Sequence, residues 1–345
     1  MKKTILQLNS ITKNYNTPGF MKKDKPGIPA IDDISLSLYE GEILGLIGES
    51  GSGKTTVGKS ILKLMGIDSG SIQLFGNDIT NLTENKFRAI RGDIQMIFQD
   101  LDAALNPNMK IDNILIEIVR RHHKTNKIEA RKQALKLISD VHLEPEILDR
   151  YPGELSGGQK RRIAIASALA AEPRIIIADE PTTGLDNYTQ TLIMKLILDL
   201  QKSRNLSMIL ISHDLQLIKK MCRRVAVMYL GSIVEIGLAE EISQSPAHPY
   251  SSLLWQSHLK HTTNTGITER QHNIRSGLFD FARPSHGCRF APRCKRYLEL
   301  DKPEKCTLNG QKPILKPLHG DHKEHEEHEE HEAREEHTVA CYFPL

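Results

Sequence analysis

The sequence predicts an α/β protein with a largely parallel sheet. Apolar strands alternate with helical patterns between residues 160 and 230, which is typical of that class. A short apolar strand over 42–47 runs into a glycine-rich turn that opens a helix, and another over 174–178 precedes two acidic residues. These observations predict one α/β domain over residues 1–240, followed by a second unit over 241–345.

Hydrophobic spacing places the other elements in order along the chain. Alternation, as at Ile34, Leu36 and Leu38, indicates strands, and a spacing of three to four residues indicates helices. The two spacings predict strands at 4–11, 34–39, 42–47, 71–75, 94–98, 174–178, 207–212 and 224–230, and helices at 111–122, 128–142, 160–171, 188–204 and 214–221. Residues 16–30 are rich in Pro, Gly and Lys and predict a loop, and beyond about residue 240 little periodicity remains.

Composition places the chain among ordinary globular proteins. Of its 345 residues, 26% are charged and 39% are hydrophobic. No stretch approaches the roughly 18 consecutive apolar residues of a membrane helix, and the first nine residues turn polar too early for a signal peptide. The sequence therefore predicts neither an integral membrane protein nor a secreted one.

The net charge of +3 hides a strongly acidic segment. Residues 319–337 hold nine acidic and two basic residues, so the rest of the chain carries a net charge of +10. Such an excess suits nucleic acid, anionic lipid or a bound nucleotide, and the total alone does not choose among them.

A phosphate-binding loop is predicted at Gly48-Glu49-Ser50-Gly51-Ser52-Gly53-Lys54-Thr55, which matches G-x-x-x-x-G-K-[ST] between a strand and a helix. The glycines let backbone N–H groups turn toward a phosphate, and the helix N-terminus adds its positive dipole end. Lys54 can reach the β- and γ-phosphates, and Thr55 can ligate Mg²⁺. The pattern therefore predicts that the chain binds a nucleoside triphosphate with Mg²⁺.

Two carboxylates follow the apolar strand 175–178, at Asp179 and Glu180. The first suits a magnesium-linked water, and the second can polarise the water that attacks a phosphate. Acidic residues after an apolar strand are often ordinary loop residues, but together with a phosphate loop they predict a site of hydrolysis.

A second anion-binding turn is predicted at Leu155-Ser156-Gly157-Gly158-Gln159, directly before a helix. One nucleotide does not need two such turns, so we expect the second to contact a nucleotide held by another subunit. Gln99 and His213 follow predicted strands, and Asp186 follows Thr183-Gly184-Leu185. Each of these is more often structural when it occurs alone, whereas all of them in this order indicate one site.

The motifs of residues 4–240, taken in order, resemble those of the ATP-binding subunits of ABC transporters. In that resemblance residues 48–55 look like the Walker A loop, Gln99 the Q-loop and residues 155–159 the LSGGQ signature. Asp179 and Glu180 look like the Walker B pair, with Asp186 as the D-loop and His213 as the switch histidine. The implied fold has a RecA-like α/β core, an antiparallel β subdomain and a helical signature subdomain at about 100–165.

The resemblance also implies a role for each site residue. Tyr15 would stack on adenine, and Gly48 to Thr56 would bind the phosphates of ATP. Thr55, Gln99 and Asp179 would hold Mg²⁺, whereas Lys54, Glu180 and His213 would act in hydrolysis. Ser156, Gly157, Gly158 and Gln159 would act on ATP bound to the partner subunit.

The resemblance narrows to the oligopeptide, dipeptide and nickel importers. That branch is indicated by the 16–30 insertion, the segments 98–107 and 248–250, Gly287 to Cys294 and the ending Thr338 to Cys341. It implies a heterodimer with a related ATPase subunit, two membrane-spanning permease subunits and an extracytoplasmic solute-binding protein. It also implies a peripheral position on the cytoplasmic face of the membrane, with no nucleic-acid partner. The Gln99 region and residues 111–142 would contact the membrane subunits.

Four cysteines, Cys288, Cys294, Cys306 and Cys341, crowd the last part of the chain, whereas Cys222 stands alone on a predicted helix and is expected in the core. Disulfides rarely persist beside cellular ATP, so the four thiols are better interpreted as metal ligands. Four thiolates suit zinc or an iron–sulfur cluster, and their spacing matches no common zinc ribbon. The resemblance implies a 4Fe–4S cluster in a small Cys-rich extension, with zinc and free thiols as alternatives.

Five histidines, His319, His322, His325, His328 and His331, recur at every third position within the acidic segment. Imidazoles suit Ni²⁺ or Zn²⁺, and on a helix this spacing brings neighbours within reach of one ion. A solvated Glu/His insert without any ligand explains the pattern equally well.

Three function classes follow. The first is the ATP-hydrolysing, energy-coupling subunit of an importer of oligopeptides or dipeptides, and the second is the same role in nickel import, which the Glu/His segment favours. The third is a soluble ABC ATPase of a non-transport complex. A single cassette with the four-cysteine tail disfavours the third class.

Overall fold

The structure, a computed structural model, describes residues 3–15, 29–101, 105–262, 287–307, 311–318 and 337–345. The strands of this part, in chain order, are β1 (Thr4–Lys13), β2 (Ile31–Tyr39), β3 (Ile43–Ile47), β4 (Ser69–Leu74), β5 (Asn77–Asp78), β6 (Ile94–Ile97), β7 (Ile175–Asp179), β8 (Ser207–Ile211), β9 (Arg224–Tyr229), β10 (Ser232–Leu238), β11 (Lys316–Pro317) and β12 (Thr338–Val339).

The α-helices are α1 (Lys54–Ile61), α2 (Glu84–Ile90), α3 (Ile111–His123), α4 (Lys127–Asp140), α5 (Gly157–Leu169), α6 (Asn187–Ser203), α7 (Leu215–Met221), α8 (Ala239–Gln244), α9 (Pro249–Thr262) and α10 (Lys295–Glu299). Each strand and helix that the hydrophobic spacing predicts is present, with ends that differ by a few residues.

A mixed eight-stranded sheet forms the core, in the order β11-β12-β10-β9-β3-β8-β7-β6. The five strands from β9 to β6 run parallel, as in the pairs Leu44↔Ile209 and Ile176↔Met208. Every residue of β3, β7 and β8 is buried, because helices and a second sheet cover the two faces. The carboxyl ends of these parallel strands therefore meet at one edge.

The second sheet is antiparallel and has the order β2-β1-β4-β5. The side chains of β3 point alternately to the two faces of the large sheet, and each face has its own hydrophobic cluster. Leu44 and Leu46 pack with the antiparallel sheet and α1, whereas Ile43 and Ile47 pack on the side of the longer helices. The α/β fold with an antiparallel sheet, predicted above, is present.

Three helices, α3, α4 and α5, pack together beside the large sheet. Ile111, Leu115 and Val119 form the buried stripe of α3 at helical spacing. Asn126 caps α4, because its side chain accepts the backbone N–H of Glu129.

Beyond residue 230 the structure is more regular than the spacing suggests. β9 turns at Gly231 (φ +86°) into β10, and a side chain at Gly231 would lie 2.6 Å from the carbonyl oxygen of Pro29. α8 and α9 then follow, with Tyr250 and Trp255 of α9 buried. β12 pairs with β10 at Glu235↔Val339, so the end of the chain joins the large sheet. A run of only two residues has no detectable period, which is why the sequence does not predict β11 or β12.

Glu235 of β10 is a fully buried carboxylate (0% exposed). It accepts the backbone N–H groups of Ala247 (2.8 Å) and His248 (3.0 Å) and the Nε2–H of His337 (2.6 Å). Burial alone would raise the pKa of Glu235, but these hydrogen bonds hold the pKa below its usual range. This carboxylate therefore ties the start of α9 and the end of the chain to the large sheet.

Candidate functional site

A cleft of about 800 Å³ lies at the carboxyl ends of β3, β6, β7 and β8, within the size range of small-molecule sites. The predicted site residues that line it are Tyr15, Ser50, Gly51, Gly53, Lys54, Thr55, Thr56, Gln99, Asp179, Glu180 and His213. Gly48, Glu49 and Ser52 belong to the same loop but do not line the cleft. The cleft also has walls that the sequence motifs do not indicate, formed by Pro29, Ala30, Ile211, Leu230 and Gly231.

The loop after β3 depends on glycine at two closely packed positions. Gly48 (φ +149°) and Gly53 (φ +105°) have backbone conformations that disfavour side chains. A Cβ atom would lie 2.2 Å from the Met228 carbonyl oxygen at Gly48 and 2.1 Å from that of Ala30 at Gly53. The loop therefore packs directly on the backbone of its neighbours and opens α1 at Lys54.

Lys54 places its ammonium group inside the loop. The Nζ atom donates to the carbonyl oxygens of Gly48 (2.8 Å) and Glu49 (2.9 Å) and to the Ser52 hydroxyl (3.3 Å). Burial lowers the pKa of Lys54, and the neighbouring carboxylates, Glu180 first, oppose that shift. A cation held here suits an anionic ligand in the cleft.

Asp179, the last residue of β7, is 2% exposed. Burial raises the pKa of its carboxyl group, and a hydrogen bond with the Thr55 side chain opposes the rise. The Oδ1 atom is buried and has no hydrogen-bond partner among the described residues. An unpaired buried carboxylate oxygen beside a threonine hydroxyl is a donor set that fits Mg²⁺.

Glu180 follows Asp179 with a left-handed backbone (φ +50°), which a non-glycine residue seldom adopts. Its backbone N–H donates to the Ile211 carbonyl (2.9 Å). The carboxylate accepts hydrogen bonds from the Thr183 hydroxyl (2.8 Å) and the Nδ1 atom of His213 (2.8 Å to Oε2). The carboxylate is therefore fixed at the cleft, next to a histidine that is largely exposed.

The predicted second anion-binding turn lies at the start of α5 and does not line this cleft. Ser156 and Gln159 form a capping box, in which each side chain accepts the other residue's backbone N–H. Gly158 lies against α6, because a Cβ atom there would be 2.9 Å from Cγ2 of Thr189. Asp186 caps α6 and accepts from the Thr189 hydroxyl (2.7 Å). Together these residues form a surface separate from the chain's own cleft.

Arg161 connects α5 to the cleft, a contact that the sequence motifs do not reveal. The side chain is 3% exposed and donates to the carbonyl oxygens of Phe98 (3.2 Å) and Thr183 (3.3 Å). Phe98 precedes Gln99, and Thr183 holds Glu180. One arginine therefore joins the helix of the second turn to the two segments that carry Gln99 and Glu180.

Four thiols, those of Cys288, Cys294, Cys306 and Cys341, border one small cavity together with His248 and Phe290. Burial raises the pKa of Cys288, Cys306 and Cys341 to about 11. In the part of the chain that the structure describes, no three His, Cys, Asp or Glu side chains are arranged to hold a metal ion.

Cys222 is buried in the core against Gly45, as predicted. His319, His322, His325, His328 and His331 lie outside the described residues.

Two protein-family models match the chain. The "ABC transporter" model matches residues 31–183, and the "oligopeptide/dipeptide transporter, C-terminal region" model matches residues 234–299.

Curated relatives extend the similarity over most of the chain. The oligopeptide transport ATP-binding protein AppF of Bacillus subtilis is 39% identical over 296 residues, which are 85% of this chain and 90% of the relative. This chain belongs to the ABC transporter family. The oligopeptide transport ATP-binding protein OppF of Escherichia coli is 40% identical over 268 residues, 77% of this chain and 80% of the relative.

Solved structures show the same ABC ATPase fold. A post-hydrolysis dimer of the ATP-binding cassette MJ0796, bound to ADP and Pi, has a TM-score of 0.61 at 29% identity and covers 68% of this chain and 99% of its own. The protein cbiO1 from Clostridium perfringens, part of the ABC transporter complex cbiONQ, has a TM-score of 0.61 at 27% identity, with 75% and 98% covered. The chain is an ABC ATPase, and ATP and Mg²⁺ agree with the cleft described above.

Within the described ranges, no helix of this ABC ATPase combines the length and the apolar character that a membrane span requires.

Proposed function

We propose that this ABC ATPase is the energy-coupling subunit of a membrane importer of oligopeptides or dipeptides. The observation that carries the proposal is one cleft that combines Lys54, Asp179 and Glu180 in a chain whose residues 234–299 match the peptide-transporter C-terminal region. The named relatives favour peptide over nickel as the solute. They also favour transport over a soluble complex.

In the proposed mechanism the loop from Gly48 to Thr56 holds the phosphates of ATP, and Tyr15 stacks on adenine at the cleft entrance. Thr55, Gln99 and Asp179 would hold Mg²⁺, which when bound neutralises phosphate charge.

Glu180 accepts a proton from the attacking water, because its carboxylate is fixed by the Thr183 hydroxyl and by His213. Lys54 stabilises the charge that develops on the transferred phosphoryl group, and His213 orients Glu180 and contacts the phosphate.

A second ATPase subunit, a related chain in a heterodimer, would complete the site. Ser156, Gly157, Gly158 and Gln159 lie outside the chain's own cleft, at the N-terminus of a helix whose free N–H groups suit an anion. We propose that they bind the ATP held by the partner, with Asp186 at the same interface. Analytical ultracentrifugation of Glu180→Gln together with the partner subunit tests this step. The two subunits should assemble only when Mg-ATP is present, and the additional change Ser156→Arg should prevent the assembly.

The membrane subunits would dock in a separate cleft of about 780 Å³ between β6, α3 and α5. Among the residues that the structure describes, its walls combine apolar residues such as Phe98 and Ile118 with four basic residues and no acidic one. The basic residues are Arg88, Arg91, Arg121 and His122. Arg91 and Arg121 pair with acidic neighbours close by in the sequence. We therefore expect an apolar loop with acidic residues from the permease, on the cytoplasmic face of the membrane.

Co-purification with the membrane subunits tests the docking. Arg88→Glu should reduce the amount of permease that is retained, whereas Lys195→Glu, an exposed change on α6, should not. Equal retention in both variants would place the permease elsewhere. ATP-dependent uptake of a radiolabelled tripeptide by the reconstituted complex tests the solute, and uptake of Ni²⁺ alone would select the nickel alternative.

The four C-terminal cysteines are proposed as ligands of a 4Fe–4S cluster, with zinc as the alternative. In a tetrahedral zinc site all four sulfurs lie within about 2.3 Å of one ion, and the described thiols are not arranged to hold either metal. They do surround a common cavity, and a cluster distributes its four thiolates over separate iron atoms. When bound, the cluster would cross-link the segments that carry Cys288, Cys294, Cys306 and Cys341.

Metal analysis of protein purified without oxygen tests this assignment. We expect about four irons per chain and a brown colour that is lost in Cys288→Ser/Cys294→Ser but kept in Cys222→Ala. One zinc per chain would select the alternative. A metal-free tail with unchanged stability would leave the thiols free.

The Glu/His segment stays a proposed Ni²⁺ or Zn²⁺ site. A deletion that tests it should remove residues 319–336 and spare His337, which is bonded to Glu235. The intact chain and the deletion variant are each titrated with Ni²⁺ and Zn²⁺ in a calorimeter. We expect the intact chain to bind metal ions that the deletion variant does not bind. Identical titrations would leave it a solvated insert.

A further inference from the structure

The C-terminal region contacts the phosphate loop at Glu49. The backbone N–H of Glu49 donates to the hydroxyl of Tyr250 (2.8 Å), and its carboxylate accepts two hydrogen bonds from Arg293 (2.8 and 2.9 Å). Both partners lie within residues 234–299, outside the matched ABC segment 31–183. The loop that every nucleotide in this cleft must contact is thus held in part by another region of the chain.

Both anchoring side chains are themselves fixed by aromatic packing. The Tyr250 ring is 0% exposed and lies 4.6 Å from the Tyr229 ring and 5.5 Å from the Phe290 ring, measured between centroids. The Arg293 guanidinium lies 5.7 and 5.8 Å from the centroids of the same two rings. Neither side chain has to be ordered when it holds Glu49, so the contact costs little entropy.

The start of the loop depends on these anchors. Lys54 donates to the Glu49 carbonyl, and at the far end the Ser52 carbonyl accepts the Gly231 N–H (2.9 Å). Gly51 lies between them, and a Cβ atom added there would have no neighbour within 4 Å. Because glycine loses more conformational freedom than other residues, a glycine-rich loop must be ordered before it can bind phosphate well.

We propose that Tyr250 and Arg293 are positioning residues of the nucleotide site, which preorganise the phosphate loop through Glu49 for Mg-ATP. They touch the loop and not the substrate, so they act on affinity. The C-terminal region is thereby a working part of the ATPase site.

Calorimetric titration of the full-length chain with Mg-ATP, together with phosphate-release kinetics, tests the proposal. Tyr250→Phe removes only the acceptor of the Glu49 N–H and should raise Kd and KM for Mg-ATP about three- to tenfold, the usual effect of one such bond. The kcat at saturating ATP should stay within about twofold, because ordering of the loop draws on binding energy and not on the chemical step.

Two control variants separate positioning from general stability. Tyr342→Phe removes a hydroxyl that donates to the Gln311 carbonyl within the C-terminal region. His337→Gln weakens the contact of that region with Glu235. Neither should change Kd for Mg-ATP by more than about twofold, even where it lowers the melting temperature. If Kd for Mg-ATP rose in every variant in step with the loss of melting temperature, the effect would be one of general stability and the proposal would be overturned.

The ion pair provides a second and independent test, since Arg293 is partly exposed and its variants should fold. Glu49→Gln and Arg293→Lys should each weaken Mg-ATP binding, and the double variant should be no weaker than the worse single one. The exchange Glu49→Arg/Arg293→Glu should restore part of the loss. Additive single effects without rescue, or wild-type affinity in folded Tyr250→Phe, would show that the contact does not position the loop.

Discussion

Glu235→Gln is expected to unfold the C-terminal part of the chain at a clearly lower urea concentration. The carboxylate is fully buried and accepts three hydrogen bonds, two of them from the backbone of residues 247 and 248 and one from His337. A glutamine has one acceptor oxygen, so its NH₂ group must face at least one buried N–H. An unpaired buried donor costs about 1–3 kcal/mol, and the remaining bonds lose their charge assistance.

The expected loss is about 2–4 kcal/mol of unfolding free energy. With an m-value of about 2 kcal/mol/M, the middle of the usual range, the midpoint of urea unfolding should fall by about 1–2 M. Trp255 is the single tryptophan of the chain and is buried on α9, the helix whose start Glu235 holds. Its fluorescence therefore reports the unfolding of this region.

Glu240→Gln is the matched control, because Glu240 pairs with Lys219 on the surface and its side chain is 60% exposed. Such a pair contributes at most about 1 kcal/mol. Equal midpoints for Glu235→Gln, Glu240→Gln and the wild type would refute the assigned network.

Urea unfolding at lower pH provides a second test of the role of Glu235. The folded-state pKa of Glu235 lies below its ordinary value of 4.5. Its stabilising contribution is therefore complete above about pH 4.5 and is lost as the pH falls through the lower folded-state value. The difference in midpoint between the wild type and Glu235→Gln should shrink in that acidic window. A difference that grew on acidification would contradict the sign of the pKa shift.

Three further predictions concern the cleft and its supports. Glu180→Gln should bind Mg-ATP with wild-type affinity but release phosphate at least about a hundredfold more slowly, and fast turnover would remove Glu180 from the chemistry. Gly53→Ala should abolish Mg-ATP binding in calorimetry, because its Cβ would lie 2.1 Å from a carbonyl oxygen, whereas Gly51→Ala has open space and should retain measurable binding. Arg161→Leu leaves two partly buried carbonyl groups without this donor, so its urea midpoint should correspond to a loss of about 1–3 kcal/mol, and an unchanged midpoint would contradict these two hydrogen bonds.

The sequence predicts those parts of the site that have a chemical signature. Lys54 and Glu180 lie in motifs whose residue types follow from phosphate and water chemistry, and the structure brings both to one cleft. Ala30 and Gly231 contribute through their backbone, which any residue has, so no side-chain pattern marks them. The Leu-Gly-Ser turn after β9 is the one signal in the sequence that points to Gly231.

Long-range contacts are the other part that sequence reasoning misses. Tyr250 and Arg293 are common residue types, and each lies more than 200 positions from Glu49. Hydrophobic spacing describes the neighbours of a residue along one element, and it carries no information on which loop a side chain reaches. The pairing of β10 with β12 is missed for the same reason, since the two strands lie about 100 residues apart.

The outermost strand of the large sheet, β11, is a poor partner for a further strand. β11 consists of Lys316 and Pro317, both exposed. Proline has no N–H to offer a further strand, and a lysine charge is costly to cover, so a second molecule finds no template for strand addition there. A cassette shortened to residues 1–240 would lose both β11 and β12 and expose the seven-residue β10 as an open edge. We therefore expect cassettes shortened in this way to associate through β10, an edge that β12 covers in the intact chain.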